Sequence, residues 1–286
     1  MEGKWKDWYS WSRAKESIFD KCPRAFYYRY IEFYDSDLNS IFSVTKRMLD
    51  NVHNINFLLG DLVHKAIERQ FDQLSRRRNV PNHEPALQFI SRQIDDIIRN
   101  PRKYIIEALN GKQILQEEYI KISEEAKRQV KIFFTEFFEF YKDLEIITHE
   151  KFCDITINGY KFYFVPDLVT RSKDGKIYIT DWKTDSSYSD AIDDHQMKLY
   201  ILWALKKGLA NLDNLRAEVI YLDEGKSHDF QATQEDINQF EKDIIKKSTD
   251  FFQKIESKSG KEDFQKQLNE ENCISCGFKQ YCDKDN

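Results

Sequence analysis

Apolar positions along residues 58–74 recur at helical spacing. Leu59, Leu62, Val63, Ala66, Ile67, Phe71 and Leu74 form one arc, with Gly60, His64 and Glu68 as the adjoining row four apart. Residues 12–33 predict an earlier helix, with Ile18, Cys22, Phe26 and Tyr30 on one side and a break near Pro23. Residues 35–56 are polar and irregular and predict a loop. After Pro85 a second helix turns Leu87, Ile90, Ile94, Ile97 and Ile98 inward, and a long one over about 117–144 carries Ala126, Val130, Phe133, Phe134, Phe137 and Tyr141 as a core stripe. The period changes to two at His149, and residues 150–157 alternate up to the hairpin turn Asn158-Gly159. Strands come next over 161–165 and 176–181. Val165-Pro166-Asp167 and Ile179–Lys183 read as strand segments joined by a turn ending in Asp174-Gly175. A helix over about 190–207 stops at Gly208, and strands at 216–222 and 227–231 succeed it. Thr233 opens a last helix with capping-box spacing, lined by Ile237, Phe240, Ile244, Phe251 and Ile255. The meander with helices before and after it predicts an α/β fold, helices on a mixed sheet.

Composition narrows the class. Of 286 residues, 41% are hydrophobic and 33% charged, which suits a helix-rich protein with a sizeable core. No apolar run reaches membrane-spanning length, and residues 1–7 carry no apolar signal core, so an intracellular, reducing setting without membrane is expected. The net charge of −5 disfavours a general nucleic-acid coat but leaves room for a nuclease, whose basic groove need only be local. Arg76-Arg77-Arg78, the compact basic run, reads as a solvated helix end.

Two groups of residues carry chemistry. Asp181 and Lys183 are two apart and share one strand face, and a hairpin brings them to the sheet end where Asp167 lies. Two carboxylates, with the Trp182 carbonyl, suit a hard divalent cation such as Mg²⁺ that keeps sites for water and a phosphate oxygen. Lys183 can orient that water or stabilise developing charge. Gln196 and Tyr200 share a helix face and can bind a phosphate or a base, and His64, at the edge of its apolar arc, suits an imidazole ligand or a packed residue. Alone, Asp-x-Lys also reads as a surface ion pair. The second group is Cys273, Cys276 and Cys282, spaced C-x2-C-x5-C, with Cys22 as fourth candidate; soft thiolates there select zinc or an iron–sulfur cluster. Cys153 reads as a buried strand residue.

Taken together these residues resemble the PD-(D/E)XK nuclease superfamily. More narrowly they resemble its RecB-like, iron–sulfur branch, which includes the RecB and AddB nuclease domains and a CRISPR-associated adaptation nuclease. The resemblance rests on Cys22-Pro23-Arg24, Gly60-x3-His64-x3-Glu68, Pro166-Asp167, Asp181-x-Lys183, Gln196-x3-Tyr200 and the three C-terminal cysteines, in that order. One departure is Phe164-Val165-Pro166, where the family often has a glycine before the first aspartate. The resemblance implies a restriction-endonuclease-like core: one domain over 1–286, with a helical insertion at about 71–145, a sheet core at 146–232 and a cysteine segment at 262–286. It implies that His64, Asp167, Asp181 and the Trp182 carbonyl hold Mg²⁺ or Mn²⁺, that Lys183 is the catalytic lysine, and that Gln196 and Tyr200 position substrate or active site. Cys22, Cys273, Cys276 and Cys282 would hold a [4Fe–4S] cluster, with Zn²⁺ as the alternative. The implied activity is hydrolysis of DNA, as an exonuclease or in processing of ends or single strands, in repair, recombination or defence, with a repair, helicase or CRISPR-adaptation partner. The competing readings are a catalytically silent DNA-binding module that keeps the fold for shape, and a zinc-stabilised protein with surface ion pairs.

Overall fold

A computed structural model describes residues 10–32, 49, 52–76, 82–185 and 190–284, the side chains of 190–193 excepted. The predicted N-terminal helix is split at Cys22 into α1 (Arg13–Lys21) and α2 (Pro23–Tyr27), because Pro23 opens a new first turn. Most of the loop expected at 35–56, and Arg77 and Arg78, lie outside the described residues.

Helices α3 (Leu58–Ser75), α4 (Glu84–Arg99) and α7 (Gln116–Ile132) pack on one another, with two short turns, α5 (Pro101–Tyr104) and α6 (Ile106–Leu109), between α4 and α7. The long helix expected to Leu144 does not run through. A wide turn at Phe133–Phe137 precedes the short α8 (Phe138–Tyr141). Such a turn inserts a residue and rotates the next helical segment about the axis. Phe138 is therefore buried where the uninterrupted period places Phe137.

Eight strands complete the described fold: β1 (Ser10–Trp11), β2 (Glu145–His149), β3 (Cys153–Ile157), β4 (Tyr160–Phe164), β5 (Leu168–Arg171), β6 (Ile177–Lys183), β7 (Leu215–Tyr221) and β8 (Lys226–Phe230). Strand β2 lies between the end of the expected long helix and the change of period at His149, where the sequence pattern predicts no strand. The expected meander is two sheets. The hairpin β3–β4 joins β1 in the order β1-β4-β3, while β5 and β6 belong to a five-stranded sheet ordered β2-β5-β6-β7-β8. Val165-Pro166-Asp167 is the connection between them and not a strand. Pro166 cannot donate to a ladder, so pairing stops there and the chain changes sheet. Asn158 and Gly159 both adopt positive φ, 49° and 82°, as a tight hairpin turn requires.

The five-stranded sheet is mixed, with β6 and β7 its parallel pair, linked through α9 (Asp190–Lys206). Alternation along β6 and β7 divides the core. Ile177, Ile179, Ala217, Val219 and Tyr221 face α9 and α10 (Gln234–Glu256), whereas Trp182, Ile220 and Leu222 face α3, α4 and α7. Trp182 is fully buried, stacked on Phe71 with centroids 6.0 Å apart and edge-on to Phe133 at 5.5 Å. Burial of an indole of this size contributes about 3 kcal/mol and fixes the strand between its two polar neighbours. Those neighbours, Asp181 and Lys183, therefore point together toward α9.

Candidate active site and thiol group

Five elements converge at the end of β6. Asp181 and Lys183 come from β6, Asp167 from the β4–β5 connection, Glu150 from the β2–β3 connection, His64 from α3, and Gln196 and Tyr200 from α9. Asp167 is fixed by the Trp182 amide, which donates to its Oδ2 at 2.7 Å. His64 Nδ1 lies 3.1 Å from Glu150 Oε1 and 3.3 Å from Asp167 Oδ1. His64, Glu150 and Asp167 offer ligand atoms all within 4.8 Å of one another.

Lys183 Nζ lies 2.6 Å from Asp181 Oδ2 and donates to Gln196 Oε1 at 2.8 Å. The Gln196 amide donates to Asp181 Oδ1 at 2.9 Å and to the Tyr200 hydroxyl at 2.6 Å, and Tyr200 donates to the Val165 carbonyl at 2.9 Å. One amide thus ties the Asp181–Lys183 pair to the backbone just before Asp167. The strand pair, two apart in sequence, meets the helix pair, four apart, because β6 and α9 each present their pair on the facing side.

Charge is concentrated here. Burial first, then the Asp167 carboxylate, raises the Asp181 carboxyl to about 6, against the pull of Lys183 and His64. Burial works against protonation of His64, but Asp167 and Glu150 outweigh it and hold its pKa well above the ordinary value. Burial and the Asp181 and Asp167 charges push Tyr200 well above the usual phenol range, so it stays a neutral hydroxyl. Asp181 Oδ2 has the Lys183 ammonium 2.6 Å away, while its Oδ1 accepts from Gln196. A buried carboxylate oxygen of this kind, beside oxygen donors and one imidazole, fits a hard divalent cation such as Mg²⁺ or Mn²⁺.

Glu150 is the site residue that the sequence pattern does not reveal. The alternation makes it the first position of a strand, but it lies outside β3 with φ of 44°, left-handed backbone that non-glycine residues rarely adopt. Its amide donates to the carbonyls of Pro166 and Asp167, at 3.1 and 3.2 Å, which seats it beside Asp167. An acid at the junction of two β segments is the signal the sequence offers for it.

The four thiols come from both ends of the described chain. Cys22 sits at the α1–α2 break, Cys273 in α11 (Glu270–Ile274), Cys276 just after it, and Cys282 at the end of α12 (Lys279–Cys282). Asn110 binds this segment to the helical layer, donating to the Ile274 and Cys276 carbonyls at 2.9 Å each. Tyr28 packs edge-on against Tyr281, with Phe278 beside it. Burial, then the neighbouring thiols Cys22, Cys273 and Cys282, push Cys276 up to about 11. Among the described residues no three of these sulfurs lie within 4.8 Å of one another. Cys153 lies in β3, as expected, but is half-buried rather than buried, and burial raises its thiol.

A mixed sheet between helical layers, with Asp181 and Lys183 on its central strand and Asp167 beside them, is the layout of a restriction-endonuclease-like fold, a class of nucleases. The model of the PD-(D/E)XK nuclease superfamily matches residues 10–283, and the chain belongs to that superfamily. A search of curated proteins found no match. No helix among the described residues is long and apolar enough to cross a membrane.

Proposed function

We propose that this nuclease is a Mg²⁺- or Mn²⁺-dependent deoxyribonuclease of the RecB-like branch, acting on DNA ends or single strands in repair, recombination or defence. The observation that carries the reading is the convergence of His64, Glu150 and Asp167 beside the hydrogen-bonded set Asp181, Lys183 and Gln196.

His64, Asp167 and Asp181 would hold the cation, with Glu150 added to the set. The backbone groups of one strand residue point the same way, and the Trp182 amide is directed at Asp167, which supports its carbonyl as a further ligand. The bound cation supplies Lewis acidity at a phosphate oxygen and lowers the pKa of water. Lys183, held between Asp181 and Gln196, orients the attacking water and donates toward charge developing on the phosphorus oxygens. Gln196 keeps Lys183 and Asp181 in register, and Tyr200 anchors Gln196 to the backbone that carries Asp167.

Cys22, Cys273, Cys276 and Cys282 would hold a [4Fe–4S] cluster joining the two ends of the fold. A single tetrahedral zinc with sulfur at about 2.3 Å draws its thiolates to about 4 Å of one another. A cluster accepts a wider set, since each thiolate meets a different iron. Thiolates held by metal would reverse the upward displacement at Cys276.

The test is cleavage of end-labelled single- and double-stranded DNA with Mn²⁺, with Lys183→Ala as the comparison. The expected result is metal-dependent cleavage that falls about 10²–10⁴-fold in the variant. No metal-dependent cleavage, or undiminished cleavage by Lys183→Ala, would refute it and favour the silent DNA-binding module. Anaerobic purification should yield iron; stoichiometric zinc without iron would overturn the cluster assignment.

A further inference from the structure

Gln196, Tyr200 and Val165, which hold the catalytic set, also line a cavity of about 940 Å³. Its other walls include the aromatic rings of Trp11, Tyr30, Phe152 and Tyr163 and the cations Arg13, Lys15 and Arg29. No acidic side chain lines it among the described residues. A second cavity, of about 720 Å³, opens at His64 and is lined by Asp61, Glu68, Glu150 and Asp185. That second cavity also holds Lys65 and is where the proposed cation would meet the scissile phosphate, while the aromatic, cationic one attracts the neighbouring polyanion.

Three details mark the first cavity as built for a ligand. Phe152 is 84% exposed and stands two residues from Glu150, at the border of cavity and candidate metal centre. A lone exposed phenylalanine is ordinary; one that faces a groove shared with Tyr30 and Tyr163 is not scattered. Lys15 is buried in the wall, its ammonium 3.0 Å from the Ser10 carbonyl and 5.2 Å from the Tyr30 ring centroid, so positive charge is fixed at the floor. The Trp11 indole N–H, fully buried, meets no acceptor among the described residues.

We propose that this groove is a base-stacking site for unpaired nucleotides entering the metal centre. Phe152 is the face on which a base next to the scissile phosphodiester stacks, while Arg13 and Arg29 meet flanking phosphates. An exposed ring, Phe152, beside the half-buried Tyr30 and Tyr163 and among cations forms such a platform because every base has a π-face and every nucleotide a phosphate. The assignment rests on the nuclease reading. It separates from it because stacking is read in binding, without divalent cation and without cleavage.

The experiment measures binding of a fluorescent oligothymidylate of about ten nucleotides in EDTA by the parent protein, Phe152→Ala and Phe152→Trp. An abasic strand of equal length is the control. Because Phe152 is exposed, its removal leaves the core intact. Phe152→Ala is expected to weaken oligothymidylate binding about five- to hundredfold, Phe152→Trp to retain it, and the abasic strand to bind parent and Phe152→Ala alike. Equal oligothymidylate binding by parent and Phe152→Ala overturns the proposal, as does an equal loss on the abasic strand. So does a parent that does not bind, the result expected if the groove seats a peptide instead. Absence of metal-dependent cleavage, measured separately, refutes the nuclease reading and leaves this outcome to stand by itself.

Discussion

Replacing Asp181 by asparagine should stabilise the metal-free protein while abolishing cleavage. The carboxyl is 2% exposed, and burial with the Asp167 charge raises it from 3.8 to about 6. A displacement of that size corresponds to about 3 kcal/mol. Proton binding sets the sign. With the folded pKa above the unfolded one, the folded state holds more protons between the two values. The associated stability is fully present below 3.8, falls as pH rises toward about 6 and is absent above it. Asparagine resembles the protonated acid and has no such slope. That displacement already includes the attraction of Lys183, which is 23% exposed and keeps Gln196 as an acceptor when position 181 is neutral. The expected gain is about 3 kcal/mol at about pH 7.5, shrinking to nothing below about pH 4. Urea unfolding in EDTA across that range reads both the gain and the slope. An Asp181→Asn protein less stable than its parent at about pH 7.5, or one with an identical pH slope, would refute the reasoning.

Two further substitutions probe the same centre. Glu150→Gln should weaken Mn²⁺ binding by at least about tenfold in a calorimetric titration without changing the fold; unchanged affinity removes Glu150 from the ligand set. Tyr200→Phe leaves the Val165 carbonyl without its donor and should lower stability to urea by about 1–2 kcal/mol while slowing cleavage. A variant equal to the parent in both would show that the hydroxyl positions nothing.

What the sequence disclosed was set by short-range physics. The apolar arc of α3, the Asn158-Gly159 turn and the Thr233 cap depend on neighbours within a few residues, and each appears where the pattern places it. Asp181 with Lys183 and Gln196 with Tyr200 are legible as pairs for the same reason. Sheet membership is not, because β4 chooses β1 and β5 chooses β2 and β6 through contacts distant along the chain. The turn at Phe133–Phe137 is hidden because one inserted residue leaves an aromatic-rich segment looking periodic at either register. Strand β2, with a register irregularity between Ile146 and Thr148, mixes apolar and polar positions too weakly to announce itself.

The unanticipated residue and the most stressed one lie at the same place, and that coincidence bears on what the centre is for. Glu150 keeps a left-handed backbone, which costs of order 1–3 kcal/mol outside glycine. Asp181 is kept buried beside Asp167, and its ionisation costs about as much again. Neither feature serves packing: Trp182, next to Asp181 and with its amide on Asp167, already fills the core. A fold selected for stability alone would place neutral side chains at 150 and 181. Carboxylates crowded together by a strained loop and a buried strand end, with Lys183 and His64 against them, are the arrangement that the proposed cation site calls for.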